Sequence, residues 1–182
     1  MRNALIFIAI CIGFIVFMVN RGEDESSRKA QKETLLTCQN EVYYFDYTED
    51  MLAARVGQGL LYAGDYQLDG NIIEASYQSQ IKKYIQKESA RKSIKKVIDG
   101  FKREGATGSD SNTLTIQYNI IENDKAKPIE RYGKAYALIG YLDFKFLLDD
   151  KIVYEAKTDY IGRTGEDIPR RVQCILNSFS SI

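Results

Sequence analysis

Residues 134–160 read KAYALIGYLDFKFLLDDKIVYEAKTDY. Tyr136, Leu138, Gly140, Leu142, Phe144 and Phe146 share one parity, and period-two alternation puts such a set on one face of a strand. The first strand is expected from about Lys134 to Leu148 and the second from Ile152 to about Tyr160. Asp149-Asp150-Lys151 forms the turn between them, because aspartate suits turn geometry on conformational grounds alone. This pair reads as a β-meander, and it sets the fold class as α+β with an antiparallel sheet.

Upstream, Leu114, Ile116, Tyr118 and Ile120 alternate in the same way, which predicts a half-buried antiparallel strand over 113–120. Asn123–Tyr132 is polar, contains Pro128 and reads as a loop. Downstream, Gly162–Gly165 breaks the sheet. Asp167 is placed to cap a last helix with Pro169 in its first turn, and Ile168, Val172, Ile175, Leu176 and Phe179 form its apolar face. Residues 78–103 carry an apolar stripe of Ile81, Tyr84, Ile85, Ile94, Val97, Ile98 and Phe101, interrupted around Gln86–Lys92, so a long helix is expected there with a bend or a brief departure from the core. Gly105 and Gly108 are its expected end. Asp65–Ala75 suits an extended strand with a bend, or a short hairpin, with Asp69-Gly70 as the turn signal. Met51, Leu52, Val56, Leu60 and Leu61 recur near helical spacing after a Thr48-Glu49-Asp50 cap, and Gly64 ends that helix. Glu41–Tyr47 is dense in aromatic and β-branched residues and reads as a strand.

The beginning of the chain is of another kind. Residues 4–19, ALIFIAICIGFIVFMV, carry no charge. With Asn3 and Asn20 at the interfaces, the run reaches the lower edge of a membrane-spanning helix, which needs about 17–25 residues. No small-residue cleavage site follows Val19. Residues 1–20 therefore read as an uncleaved transmembrane signal anchor. A cleaved signal peptide and a lipid-modified Cys11 are the alternatives, the latter weakened by Ile10 where a lipobox wants a small residue. Residues 21–34 form a polar linker, and 35–182 a single α+β domain. Arg2 before the run and Glu23, Asp24 and Glu25 after it orient the chain with its N-terminus inside. The expected location is a bacterial inner membrane, crossed once, with the C-terminal domain in the periplasm.

Composition limits the chemistry. The 182 residues contain 25 Lys+Arg and 25 Asp+Glu, so no net charge steers a polyanion. Histidine is absent, which removes imidazole-based catalysis and His-ligated metal sites. No catalytic residue, metal site or cofactor is assigned. Apart from Cys11, the cysteines are Cys38 and Cys174. In an oxidising compartment a disulfide between them is expected, tying the start of the domain to its last helix. Two buried thiols that never meet are the alternative.

Two surface features invite a function. Lys82, Lys83, Lys87, Arg91, Lys92, Lys95 and Lys96, with Lys102 and Arg103 beyond, make the expected long helix basic. Lysine is a good helix former, and a solvated face is the ordinary meaning of such a run. The functional alternative is a cationic face for anionic headgroups, an acidic partner or a polyanion. Nucleic acid is not expected. Tyr43, Tyr44, Tyr47, Tyr62, Tyr66 and Tyr77 are the second feature. They make an interface if several share an exposed sheet face, and otherwise pack the edge of the core.

The order of strand, helix, Asp65–Gly70 segment, meander with an acidic turn (Phe144–Tyr154) and terminal helix resembles, in layout only, small periplasmic envelope lipoproteins such as those assisting lipopolysaccharide export. The chain lacks their lipobox and inserts residues 78–103, and no residue role is carried over. The expected function is a membrane-anchored accessory or structural subunit of a cell-envelope assembly (secretion, conjugation or transport), acting by protein–protein interaction. The alternative is a binding module for lipid or another amphipath, in a groove between sheet and long helix. Other small-molecule ligands are not expected, nor is an enzyme.

Overall fold

The meander is present as read. β3 (Leu114–Arg131), β4 (Lys134–Leu148) and β5 (Lys151–Tyr160) pair antiparallel in sequence order. This computed structural model describes residues 37–182 other than 41, 78, 109, 110, 132 and 133. It gives backbone alone for 37, 125–131 and 134–137. The expected anchor (1–20) and linker (21–34) lie outside the described residues. Among the described residues no helix is long and apolar enough to cross a membrane.

The turn after β4 is tighter than expected. Asp149 and Asp150 have φ of 49° and 65°, and positive φ at both central residues makes a two-residue type I′ turn. The Asp149 carboxylate accepts from the Thr113 N–H at 2.8 Å and from Asn112 Nδ2 at 2.7 Å, which fixes the turn against the start of β3. A register shift between Phe146 and Leu147 gives β5 one extra residue, so Val153 and Tyr154 are both buried.

The fold is α+β, but its sheet is mixed and not purely antiparallel. Five strands run in the order β1-β5-β4-β3-β2, with β1 (Tyr44–Thr48) antiparallel to β5 and β2 (Gln67–Ile73) parallel to β3. The parallel pair follows from helices intervening between β2 and β3, since a parallel neighbour needs a long crossover. Asp69-Gly70 makes no turn. Both residues lie within β2, where glycine admits the ring of Tyr118. The expected loop at 123–132 is also corrected. β3 continues to Arg131 through an irregularity between Glu122 and Lys127, because β4 is long enough to pair with it. The polar composition did not mark an end to pairing.

Helix α1 (Met51–Ala63) is capped by Asp50, whose side chain accepts from the Leu52 and Ala53 N–H groups, and closed by Gly64 at φ 75°. Its buried face is Ala54, Gly57, Leu60 and Leu61, whereas Met51, Leu52 and Val56 are exposed. A Cβ at Gly57 would stand 3.4 Å from Leu114 Cδ1 and 3.5 Å from Phe179 Cζ, so only a small residue fits that contact. Ala54 and Gly57 let the first half of α1 lie close to the sheet and leave Met51, Leu52 and Val56 outward, while Leu60 and Leu61 fill the core.

The expected helix over 78–103 is broken in two. Helix α2 (Ile81–Tyr84) stops at Ile85 and Gln86, which are extended, and α3 (Lys87–Asp99) restarts with Gly100 as its end, short of Gly105. At 100° per residue, Ile85 and Ile94 fall about 180° apart on one continuous helix. The extended pair resets the phase, so that Ile81, Ile85, Ala90, Ile94 and Ile98 are all buried. Tyr84, expected in the stripe, is exposed.

Helix α4 (Ile168–Phe179) carries Pro169 in its first turn. Asp167 stands at the N-cap position, as expected, but its side chain makes no capping bond. Its carboxylate instead accepts from the Ile161 and Gly162 N–H groups and from Arg171 Nε, fastening the end of β5 to the helix. The expected apolar face of α4 is buried throughout. One core cluster joins Leu114, Ile116, Tyr118, Phe144, Phe146 and Tyr154 to the buried residues of the four helices, with Phe146 and Phe179 stacked at 4.3 Å. The alternate residues of the described strands, Thr115, Gln117, Asn119, Asp143, Lys145 and Glu155 among them, are only half-buried, so the second face of the sheet is open.

Candidate functional site

The site is built on β1. Its sequence, Tyr44-Phe45-Asp46-Tyr47-Thr48, alternates, and the two parities have different fates. Tyr44 and Asp46 turn toward the helices. Tyr154 Oη donates to Asp46 Oδ2 at 3.0 Å, Ser178 Oγ donates to the same oxygen at 2.5 Å, and Gln39 Nε2 donates to Ser178 Oγ at 3.2 Å. Tyr44 Oη and Tyr154 Oη lie 3.2 Å apart. Burial pushes the Tyr44 hydroxyl up to about 12 and drives Tyr154 higher still, so both stay protonated donors. This network sits beside the bond between Cys38 and Cys174, whose Cα atoms are 5.9 Å apart. The disulfide expected from sequence is therefore present. It fastens the 3-10 turn Thr37–Asn40 to α4. Ser178, which sequence left without a base, has Asp46 as its acceptor, inside a buried structural network.

The other parity faces out. Tyr43, Phe45 and Tyr47 are 56%, 45% and 53% exposed. Pairing puts Phe45 opposite Lys157 and Tyr47 opposite Glu155, on the open face. β1 is also an outer strand, paired only with β5. A row of aromatics along a strand that has no second strand neighbour among the described residues is a surface able to add a strand from another chain. β1 carries no proline or lysine to discourage this. The hydrogen-bonded network holds Tyr44 and Asp46 of β1 from behind.

The six tyrosines are thus divided. Tyr43 and Tyr47 form the row, and Tyr44 enters the core network. Tyr66 Oη donates to Asp99 Oδ1 at 2.7 Å, Tyr62 lies under Arg103 at 3.5 Å, and Tyr77 is exposed away from β1. Phe45 was missed. Its position between two outward tyrosines on an alternating segment was the signal.

The basic residues do not form one face. The break at Ile85–Gln86 separates Lys82 and Lys83 on α2 from Lys87, Arg91, Lys92, Lys95 and Lys96 on α3. Lys82 pairs with Glu74 at 2.5 Å and Lys87 donates to Asn71 at 3.1 Å. Lys95 donates to Asp99 at 2.8 Å, a bond that raises the lysine's affinity for its proton. Desolvation opposes ionisation of Asp99, yet its bonds from Lys95 and Tyr66 hold it below the ordinary carboxylate value. Lys83, Arg91, Lys92 and Lys96 are exposed; Arg91 acts on the Tyr118 hydroxyl through its charge, and the three lysines have no side-chain partner among the described residues. Where a lipid groove between sheet and long helix was the alternative, Ile94 and Ile98 are fully buried in one cluster with Ile116 and Tyr118.

No family model, curated protein or solved structure matches this chain. Among the described residues no group of three or more Cys, Asp or Glu is placed to hold a metal ion.

Proposed function

We propose that the chain is an accessory, interaction-type subunit of a bacterial cell-envelope assembly, docking a protein partner along β1. The observation that carries this is the exposed row Tyr43, Phe45 and Tyr47 on an outer strand held from behind. Tyrosine and phenylalanine bring large contact area at small entropic cost, which suits them to interface centres. The uncharged run 4–19 supports attachment to the inner membrane. The Cys38–Cys174 bond supports a periplasmic domain, since disulfides persist in oxidising compartments. The partner then meets β1 within reach of the membrane surface.

The test is affinity purification of the full-length chain from membranes in mild detergent. Tyr43→Ser, Phe45→Ser and Tyr47→Ser together remove three aromatic anchors. At about 1–2 kcal/mol for each, the partner is bound about 100-fold more weakly or worse. Tyr77→Ser, at a more exposed tyrosine elsewhere, leaves it bound. A partner retained undiminished by the triple variant sinks the proposal.

A further inference from the structure

The chain is neutral overall, yet its charges are segregated. Between the β4–β5 turn and the β1–α1 junction lies a groove of about 900 Å3. Its floor is apolar, made by Ala53, Leu148, Ile152 and Val153 with Tyr47 as a wall. Its rim carries Glu49, Asp50, Asp149, Asp150 and Glu155 against one cation, Lys151. Asp50 and Asp149 are held by backbone N–H groups and Glu155 by Lys145 at 3.3 Å. Glu49 and Asp150 are exposed, with no side-chain partner among the described residues.

The complementary charge belongs to α3. Arg91, Lys92 and Lys96 are exposed; Arg91 is within electrostatic reach of the Tyr118 hydroxyl, and Lys92 and Lys96 have no side-chain partner among the described residues. α3 lies beside β2, joined to it by Lys87 and Asn71, while the groove adjoins β1, and these strands are opposite edges of the sheet. Four strand spacings separate the edges by about 19 Å. That exceeds twice the screening length of about 8 Å at physiological salt. Among the described residues, α3 of one copy lies too far to satisfy that copy's own groove, and α3 of a second copy can.

We propose that the groove of one copy receives the cationic face of α3 from a second copy. The chemistry of the groove matches such side chains part by part. The aliphatic stems of arginine and lysine lie on the apolar floor, and their charged ends reach the carboxylate rim. The two surfaces differ, so the contact is head-to-tail and extends into rows or closes into a ring. Its strength is electrostatic and falls with salt.

The test uses the full-length chain in detergent micelles and sedimentation over a concentration series. The mass rises with concentration at about 50 mM salt, and association weakens about tenfold or more by about 500 mM. A groove variant, Glu49→Gln with Asp150→Asn, and a helix variant, Lys92→Glu with Lys96→Glu, are each monomeric alone. Mixed, they form a dimer that stops at two copies, because one intact groove meets one intact helix face. The mixture also shows that both variants are folded. A wild-type chain that stays monomeric at low salt overturns the proposal, as does a mixture that stays monomeric. Association that needs added phosphatidylglycerol, and survives in the groove variant, overturns it in favour of a lipid-binding face.

Discussion

Gly70 of β2 lies against the ring of Tyr118 on β3, and a Cβ at position 70 would fall 2.0 Å from Tyr118 Cζ. The two residues are register partners in the parallel pair. Tyr118 is buried and packs on Phe144 at 5.7 Å, so the ring has nowhere to retreat. Gly70→Ala is expected to cost about 1–3 kcal/mol through overpacking. Chemical denaturation measures this, and Gly70→Ala combined with Tyr118→Leu recovers part of the loss because the two sites are coupled.

Asp46 accepts from both Tyr154 and Ser178 in the interior behind β1. Asp46→Ala leaves two hydroxyls without that acceptor and destabilises by about 2–3 kcal/mol. Ser178→Ala removes one donor and costs about 1 kcal/mol. Equal losses in the two variants, measured by urea unfolding, would show that the shared acceptor is not the centre of the network.

The Cys38–Cys174 bond spans 136 residues. Cys174→Ala is expected to lower stability by about 2–5 kcal/mol, since a long closed loop restricts the unfolded chain. A mobility shift on non-reducing gels, abolished by Cys38→Ser, confirms the bond in the protein itself.

Glu122 accepts from Ser79 Oγ at 2.5 Å, from the Gln80 N–H at 3.0 Å and from the Ala75 N–H at 3.3 Å. Burial opposes its ionisation, but these bonds hold its carboxyl below the ordinary value of 4.5. A depressed folded-state value means stability that is present above that ordinary value and is lost as pH falls through the folded one. Glu122→Gln is therefore less stable at neutral pH and shows a flatter loss on acidification. Thermal unfolding between about pH 2 and pH 7 decides it. An acid limb as steep as that of the wild type counts against the assignment.

What the sequence disclosed was local. The β4–β5 hairpin needs only alternation and two adjacent aspartates, and it was legible to within a residue at the turn. The phase conflict between Ile85 and Ile94 showed as a gap in the stripe, although not as a complete break. What depended on distant partners was not legible. The buried face of α1 is chosen by Leu114 and Phe179, which select Ala54 and Gly57 over Met51 and Leu52. The place of Asp69-Gly70 within a strand is decided by a ring 48 residues away. The candidate site was half visible. Tyr43 and Tyr47 were marked by composition, but the outer position of β1 is a property of strand order, which no local pattern encodes.

The cross-link from Cys38 to Cys174 also governs how the domain bears load. A pull on residues preceding Cys38 would otherwise travel along the backbone to β1 and load its pairing with β5. The bond offers a shorter path, passing tension from Cys38 across to α4, whose apolar face is locked in the core. Tension entering from that side reaches α4 without first passing through the pairing of β1 with β5.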